Sequence, residues 1–151
     1  MPLLRPLFLL IMLFSQPLWA QESGNAADIY GDPQSLIGLA LNELIARFGP
    51  PESVHTSRGQ EIWQDDVVFV YAGGEFYIFG NRVWQAGLKS ACGVSVGDSR
   101  PAVTLTLGAQ ATDHGKFLTM PLPSGGWPLA LRVNFSAAGR VSAIFIYRPD
   151  Y

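Results

Sequence analysis

Ile37-Gly-Leu-Ala-Leu-Asn-Glu-Leu-Ile-Ala-Arg-Phe-Gly49 returns as a skeleton in Val96-Gly-Asp-Ser-Arg-Pro-Ala-Val-Thr-Leu-Thr-Leu-Gly108. Each stretch has an aliphatic residue, a glycine, a ten-residue interval and a second glycine. At the same offset Leu44 superposes on Val103 and Phe48 on Leu107. A repeated frame redefines the structural unit, so it is settled before anything else. In the first stretch Leu41, Leu44, Ile45 and Phe48 fall at i, i+3, i+4 and i+7, which predicts a helix. Gly49 supplies its stop, and Pro50-Pro51 forbid continuation. The second stretch carries a conflict, because Val103-Thr-Leu-Thr-Leu107 alternates as a strand does. Yet Asp98 or Ser99 offers an N-cap and Pro101 suits a first helical turn. The frame outweighs a propensity of roughly a few tenths of a kcal/mol per residue, so a second helix is expected.

Outward from the helices the period changes to two. Asp32-Pro33 opens a short helical turn that Gly38 breaks, and residues 52–62 read as a polar loop. Val67 to Tyr71, Phe76 to Phe79 and Arg82 to Leu88 read as strands joined by Ala72-Gly73-Gly74 and Gly80-Asn81. In the second half a loop holding Pro121, Pro123, Gly125 and Gly126 precedes strands at Leu129–Phe135 and Arg140–Tyr147. Arg140-Val141 matches Arg82-Val83 at an offset one residue shorter than that of the helices. The expected fold is α+β, two tandem repeats over 35–92 and 93–151, each a short helical segment plus a helix packed on an antiparallel β-meander.

Met1 to Arg5 is a short basic start, Pro6 to Phe14 is nearly all apolar, and Leu18-Trp19-Ala20 precedes Gln21. That order predicts a signal peptide over 1–20 cleaved after Ala20, with a flexible leader over 21–34 and a periplasmic or secreted destination. No cysteine follows the apolar run, so no lipid-anchor signal is expected, and no stable membrane span is expected after cleavage. The formal charge is −2 over the whole chain, too mild for a nucleic-acid footprint. Cys92 is the only cysteine, which excludes an intramolecular disulfide and leads to the expectation that the thiol is buried.

Val94-Ser-Val-Gly-Asp-Ser99, Phe48-Gly-Pro-Pro51 and Ala138-Gly-Arg-Val141 sit where a known architecture has its fold-setting glycines. The chain resembles the β-lactamase-inhibitor-protein-like fold, shared by outer-membrane assembly lipoproteins of the BamE/SmpA type, and its two copies look most like the tandem inhibitor proteins. The resemblance implies a fold and a mode of binding through a sheet face. It carries over no functional residue: the inhibitors' loop disulfides and the lipoproteins' acylated cysteine have no counterpart here.

Catalytic signals are weak. His55 and His114 each fall six residues after the glycine of their copy, without the further ligands a metal needs. Asp65 and Asp66 are adjacent and would point to opposite faces of a strand, which reads as a solvated loop rather than an acid/base pair. No nucleophile-elbow motif occurs, and neither Gly73-Gly74 nor Gly125-Gly126 opens a helix that could cradle phosphate. No enzyme, metal or cofactor is therefore expected.

The surface is more informative. In the second copy Leu131, Val133 and Phe135 alternate with Arg132 and Asn134, whereas the first copy is apolar on both faces. Something must cover the extra face. Packing of that face against the second copy, or a continuous sheet shared by both copies, is one answer, and an exposed aromatic patch with Trp63, Tyr71, Tyr77 and Trp84 as protein-binding anchors is the other. Trp84 stands out because its counterpart is Ser142. The expectation is a non-enzymatic exported module that binds a protein partner, in envelope assembly or as an inhibitor, with a second copy of the chain as an alternative partner. The competing class is a carrier or sensor of a small apolar ligand, with a hydrolase ranked last.

Overall fold

The computed structural model describes residues 32–58 and 66–151. The expected signal peptide, the leader before Asp32, and Trp63 lie outside the described residues. Asp32 caps a 3₁₀ turn over Pro33–Leu36, its Oδ1 accepting from Gln34 N at 3.1 Å. Helix α1 follows at Leu41–Phe48. Its N-cap, Ala40, has no side-chain acceptor, and the Glu43 carboxylate accepts from Ala40 N at 2.7 Å instead, half of a capping box. Gly49 ends the helix with φ 78°.

Strands β1 (Ser53–Ser57), β2 (Asp66–Tyr71), β3 (Gly74–Phe79) and β4 (Arg82–Leu88) then run as an antiparallel meander. A small hairpin, β5 (Ser90–Ala91) and β6 (Val94–Ser95), leads to helix α2 at Arg100–Leu107. The helical expectation for this stretch holds. Ser99 Oγ accepts from Ala102 N, Pro101 sits in the first turn, and Val103 and Leu107 are buried. The alternating Thr104 and Thr106 hydroxyls each donate to the carbonyl four residues back, which satisfies them on an exposed helix face. β7 (Thr112–Asp113), β8 (Phe117–Leu122), β9 (Leu129–Phe135) and β10 (Val141–Tyr147) complete the chain.

These eight meander strands form one antiparallel sheet in the order β1-β2-β3-β4-β10-β9-β8-β7. The architecture is α+β, a large antiparallel sheet with two helices. β1 corrects the reading of residues 52–62 as loop: all but the last of its residues are exposed, so no buried alternation betrays it. β8 was likewise hidden, because Pro121 reads as a breaker. The proline is tolerated since β7 pairs only with Leu118 and Thr119, leaving the outer edge of β8 unpaired at Pro121.

The helices cover one face. Leu36, Leu44, Phe76, Val83, Val103, Leu131, Val133, Ile144 and Ile146 fill the layer between helices and sheet. Phe48 stacks on Phe76 with centroids 5.9 Å apart, and Tyr71 meets both rings edge-on. Backbone hydrogen bonds tie the approach to each helix to a strand. Gly38 N donates to Val83 O at 2.7 Å and Val83 N to Leu39 O at 2.9 Å; Gly97 N donates to Val141 O at 2.9 Å and Val141 N to Asp98 O at 2.9 Å. Arg82 Nη1 donates to Gly38 O at 2.7 Å, and Arg140 Nη1 donates to Gly97 O at 3.2 Å.

Candidate interaction face

Because strand side chains alternate, the residues between the core positions populate the helix-free face. Register places Val68 opposite Tyr77, Val70 opposite Glu75, and Tyr77 opposite Gln85 on that face. Trp84 is the extra residue where the β3–β4 register shifts, and Ser142 occupies the corresponding shift between β9 and β10. The bulge turns the Trp84 indole over the sheet, where its Nε1 donates to Asp66 Oδ1 at 2.9 Å.

From that point an aromatic band crosses the face. Tyr151 lies nearly parallel to Trp84 at 6.1 Å and edge-on to Phe79 at 5.8 Å. Tyr77 and Phe145 meet edge-on at 6.4 Å across β4. Phe79 is 40% exposed and Tyr151 56%, while Tyr77, Trp84, Phe145 and Tyr147 are half-buried. Arg148 fastens the C-terminal tail: its guanidinium lies over Tyr151 at 4.5 Å and Trp127 at 5.0 Å and pairs with Asp150 at 2.8 Å.

The face is electrically divided. On β2 and β3 it carries carboxylates. Asp66 is only 8% exposed, and Glu75 Oε2 accepts from Tyr77 OH at 3.1 Å. Burial, then the charge of Glu75, its hydrogen bond and the charge of Asp66, push the Tyr77 phenol up to about 12. On β8 and β9 the corresponding ground carries a guanidinium. The Arg132 guanidinium lies over Phe117 at 3.9 Å with Nε on Asn134 Oδ1, and His114 stacks on the same ring at 4.7 Å.

The four expected anchors part ways. Tyr77 and Trp84 share the helix-free face, Trp63 lies outside the described residues, and Tyr71 is a correction. Its parity with Phe69 and Phe76 turns it under α1, where it is buried and its hydroxyl donates to Gly49 O at 3.1 Å. Asp66 also corrects the loop reading, since it begins β2 and is buried under the Trp84 indole. Cys92 corrects the burial expectation. It is exposed at the tip of the β5–β6 hairpin with φ 53°, and partial desolvation with the nearby Asp32 charge pushes its thiol up. His55 is exposed on edge strand β1 and His114 follows β7; no cluster of three metal-ligating side chains occurs among the described residues. Alternation along β3 and β10 also places Phe79, Phe145 and Tyr147 on this face, whereas Tyr151, beyond the last strand, carries no such signal.

On the helix side, a shallow cleft of about 610 Å³ opens between the 3₁₀ turn and the β8–β9 loop, with Trp127 in its wall. Among the described residues no helix is long and apolar enough to cross a membrane.

No family model matches the chain, and no curated protein matches it. A solved structure, an extracellular protein containing an SCP domain from Bacillus anthracis, aligns with a TM-score of 0.51 and 14% identity over 79% of this chain. The alignment spans 46% of that protein, and at this identity it speaks for a shared fold.

Proposed function

We propose that the chain is an exported, non-enzymatic protein-binding module whose helix-free sheet face is the contact surface. The observation that carries this reading is the aromatic band of Phe79, Trp84, Tyr77, Phe145 and Tyr151, exposed or half-buried on the face that neither helix covers. Tyr and Trp in such a setting are the residue types that dominate protein-protein hot spots. The carrier alternative finds less support, because Leu36, Leu44, Phe76 and Leu131 fill the layer where a ligand would sit.

The module is one unit written twice, in the β-lactamase-inhibitor-protein-like manner. In support, the hydrogen bonds of Gly38, Leu39 and Val83 have counterparts at Gly97, Asp98 and Val141. Leu41 N donating to Asn81 O is matched by Arg100 N donating to Gly139 O, and the Arg82 contact by that of Arg140. Joining through β4 and β10 lays both copies on one sheet and presents one continuous open face. Export rests on residues 1–20, so the N-terminus of the secreted chain is Gln21.

Photo-crosslinking residues at Phe79 and Tyr151, produced in the native host with the signal intact, test the surface. A discrete protein adduct from these positions, absent from Asn42 and Thr106 on the exposed helix faces, is expected. Adducts from the helix positions alone, or none from the sheet face, would refute it.

A further inference from the structure

We infer that the open face takes a basic side chain of its protein partner, an arginine guanidinium, seated in a dimple between Glu75 and Phe145. The inference rests on the contact surface just proposed and gives that surface a chemistry. The dimple, of about 170 Å³, lies where β3, β4 and β10 run side by side, with Gly87 as its floor and Ser142 at its rim. A Cβ at Gly87 would stand 3.2 Å from Phe145 Cε1 and 3.8 Å from Tyr77 Cε2, so the missing side chain is what leaves the hollow between the two rings. Small-molecule sites usually occupy about 300–1,000 Å³; this one is scaled to the head of a single side chain.

Its chemistry suits a planar cation. Phe145, the aromatic residue in its lining, attracts a guanidinium through its quadrupole, and the Glu75 carboxylate accepts its N–H groups. Glu75 Oε2 is engaged by Tyr77 OH, and Oε1 accepts no hydrogen bond from a described residue. Lys89 lines the rim, but its ammonium donates to Ala72 O at 2.8 Å and so is turned to the β2–β3 turn. The raised Tyr77 phenol agrees, since the negative potential of Glu75 and Asp66 contributes to it. The Arg132 guanidinium makes the far side of the sheet unfavourable for the same cation, which gives the partner a preferred direction.

The test is a titration of ¹⁵N-labelled protein with the capped tripeptide Gly-Arg-Gly, and with Gly-Glu-Gly as control. Saturable shifts centred on the amides of Glu75, Gly87 and Phe145 are expected, roughly in the millimolar range for so small a probe. Glu75→Gln should weaken binding about tenfold, the size of a charge-assisted hydrogen bond, and Gly87→Ala should abolish it by filling the floor. Both variants are checked for native spectra. Shifts that do not saturate, that appear equally with the glutamate peptide, or that persist unchanged in both variants overturn the inference. If Phe79 and Tyr151 crosslink a partner in cells and Glu75→Gln leaves that adduct intact, the contact surface stands and the arginine seat falls. If the peptide binds but no adduct forms, the surface reading falls instead.

Discussion

Replacing Gly38 and Gly97 by alanine, separately, measures how strongly the two halves of the chain are interlocked. Both glycines hold the left-handed region, with φ 91° and 96°, and both donate to the carbonyl of a central strand residue. A side chain in that region costs about 1–2 kcal/mol, so Gly97→Ala, whose Cβ meets nothing within 4 Å, should lose about that much. Gly38 differs in one respect. Its Cβ would press into the Trp127 ring, 2.5 Å from Cη2 and closer still to Cζ2, and Trp127 belongs to the β8–β9 loop of the other half. Overpacking of this kind adds about 1–3 kcal/mol, which brings Gly38→Ala to about 2–5 kcal/mol. Trp127 cannot swing away freely, because Arg148 lies over its ring and its carbonyl accepts from Ser124 Oγ. Urea unfolding of both variants, of Trp127→Ala and of the Gly38→Ala/Trp127→Ala pair gives the comparison as shifts in midpoint at constant slope. The double variant should recover about 1–3 kcal/mol relative to the sum of the singles. Equal losses at Gly38 and Gly97, or an additive cycle, would refute the reasoning.

Three further outcomes follow from the sheet and the hairpin. Tyr77, whose phenol is pushed up to about 12, should contribute a late step to the alkaline absorbance titration that Tyr77→Phe removes and Glu75→Gln moves down. Since its folded pKa lies above the unfolded one, near 10, the phenol favours the fold below pH 10, and that contribution is lost between pH 10 and about 12. Cys92 should react with a thiol reagent in the native protein, one equivalent per chain, but more slowly at pH 8 than a peptide thiol, because its raised pKa leaves less thiolate. Trp84→Ser, which copies Ser142, should keep the β3–β4 register by NMR yet lower stability by about 1–3 kcal/mol, as a buried carboxylate loses one of its donors; a loss below about 0.5 kcal/mol would put Trp84 among ordinary surface residues.

Much of this architecture is legible because its signals are local. The apolar face of α1, the cap and proline of α2, the alternation of β9, and the β-branched and aromatic runs of β2 and β3 between turn glycines each follow from a few neighbouring residues. What sequence hid was set by distant neighbours. β1 is a strand because β2 pairs with it, and its own exposed residues carry no pattern. The faces of β2 were separable by parity, but which of them the helices cover was not, and so Tyr71 was grouped with Tyr77 although it faces the core. Asp66 looked like a loop carboxylate because the indole that buries it comes from a bulge one strand beyond β3. Trp127 lay in a Pro/Gly-rich loop and gave no sign that it packs on Gly38.

The Trp84–Ser142 contrast bears most directly on function. Both residues occupy the extra position of a β-bulge, so the bulge itself is satisfied by a small polar residue whose hydroxyl donates to Asn134 O. A tryptophan in the same setting is therefore not demanded by strand geometry. What it adds is an indole over Asp66, a parallel partner for Tyr151, and through Tyr151 a contact with Phe79. These three effects all enlarge one surface, and they enlarge it on the half of the sheet that already carries Glu75 and Tyr77. On the outer strands of the opposite half, Phe117 is engaged instead by Arg132 and His114. The two ends of the sheet thus present unlike faces, with carboxylates and the Trp84 indole over β2–β4 and the Arg132 guanidinium over β8 and β9, while Phe145 and Tyr151 of the second half join the aromatic band between them. That is the distribution expected when one half of a sheet is shaped for a partner.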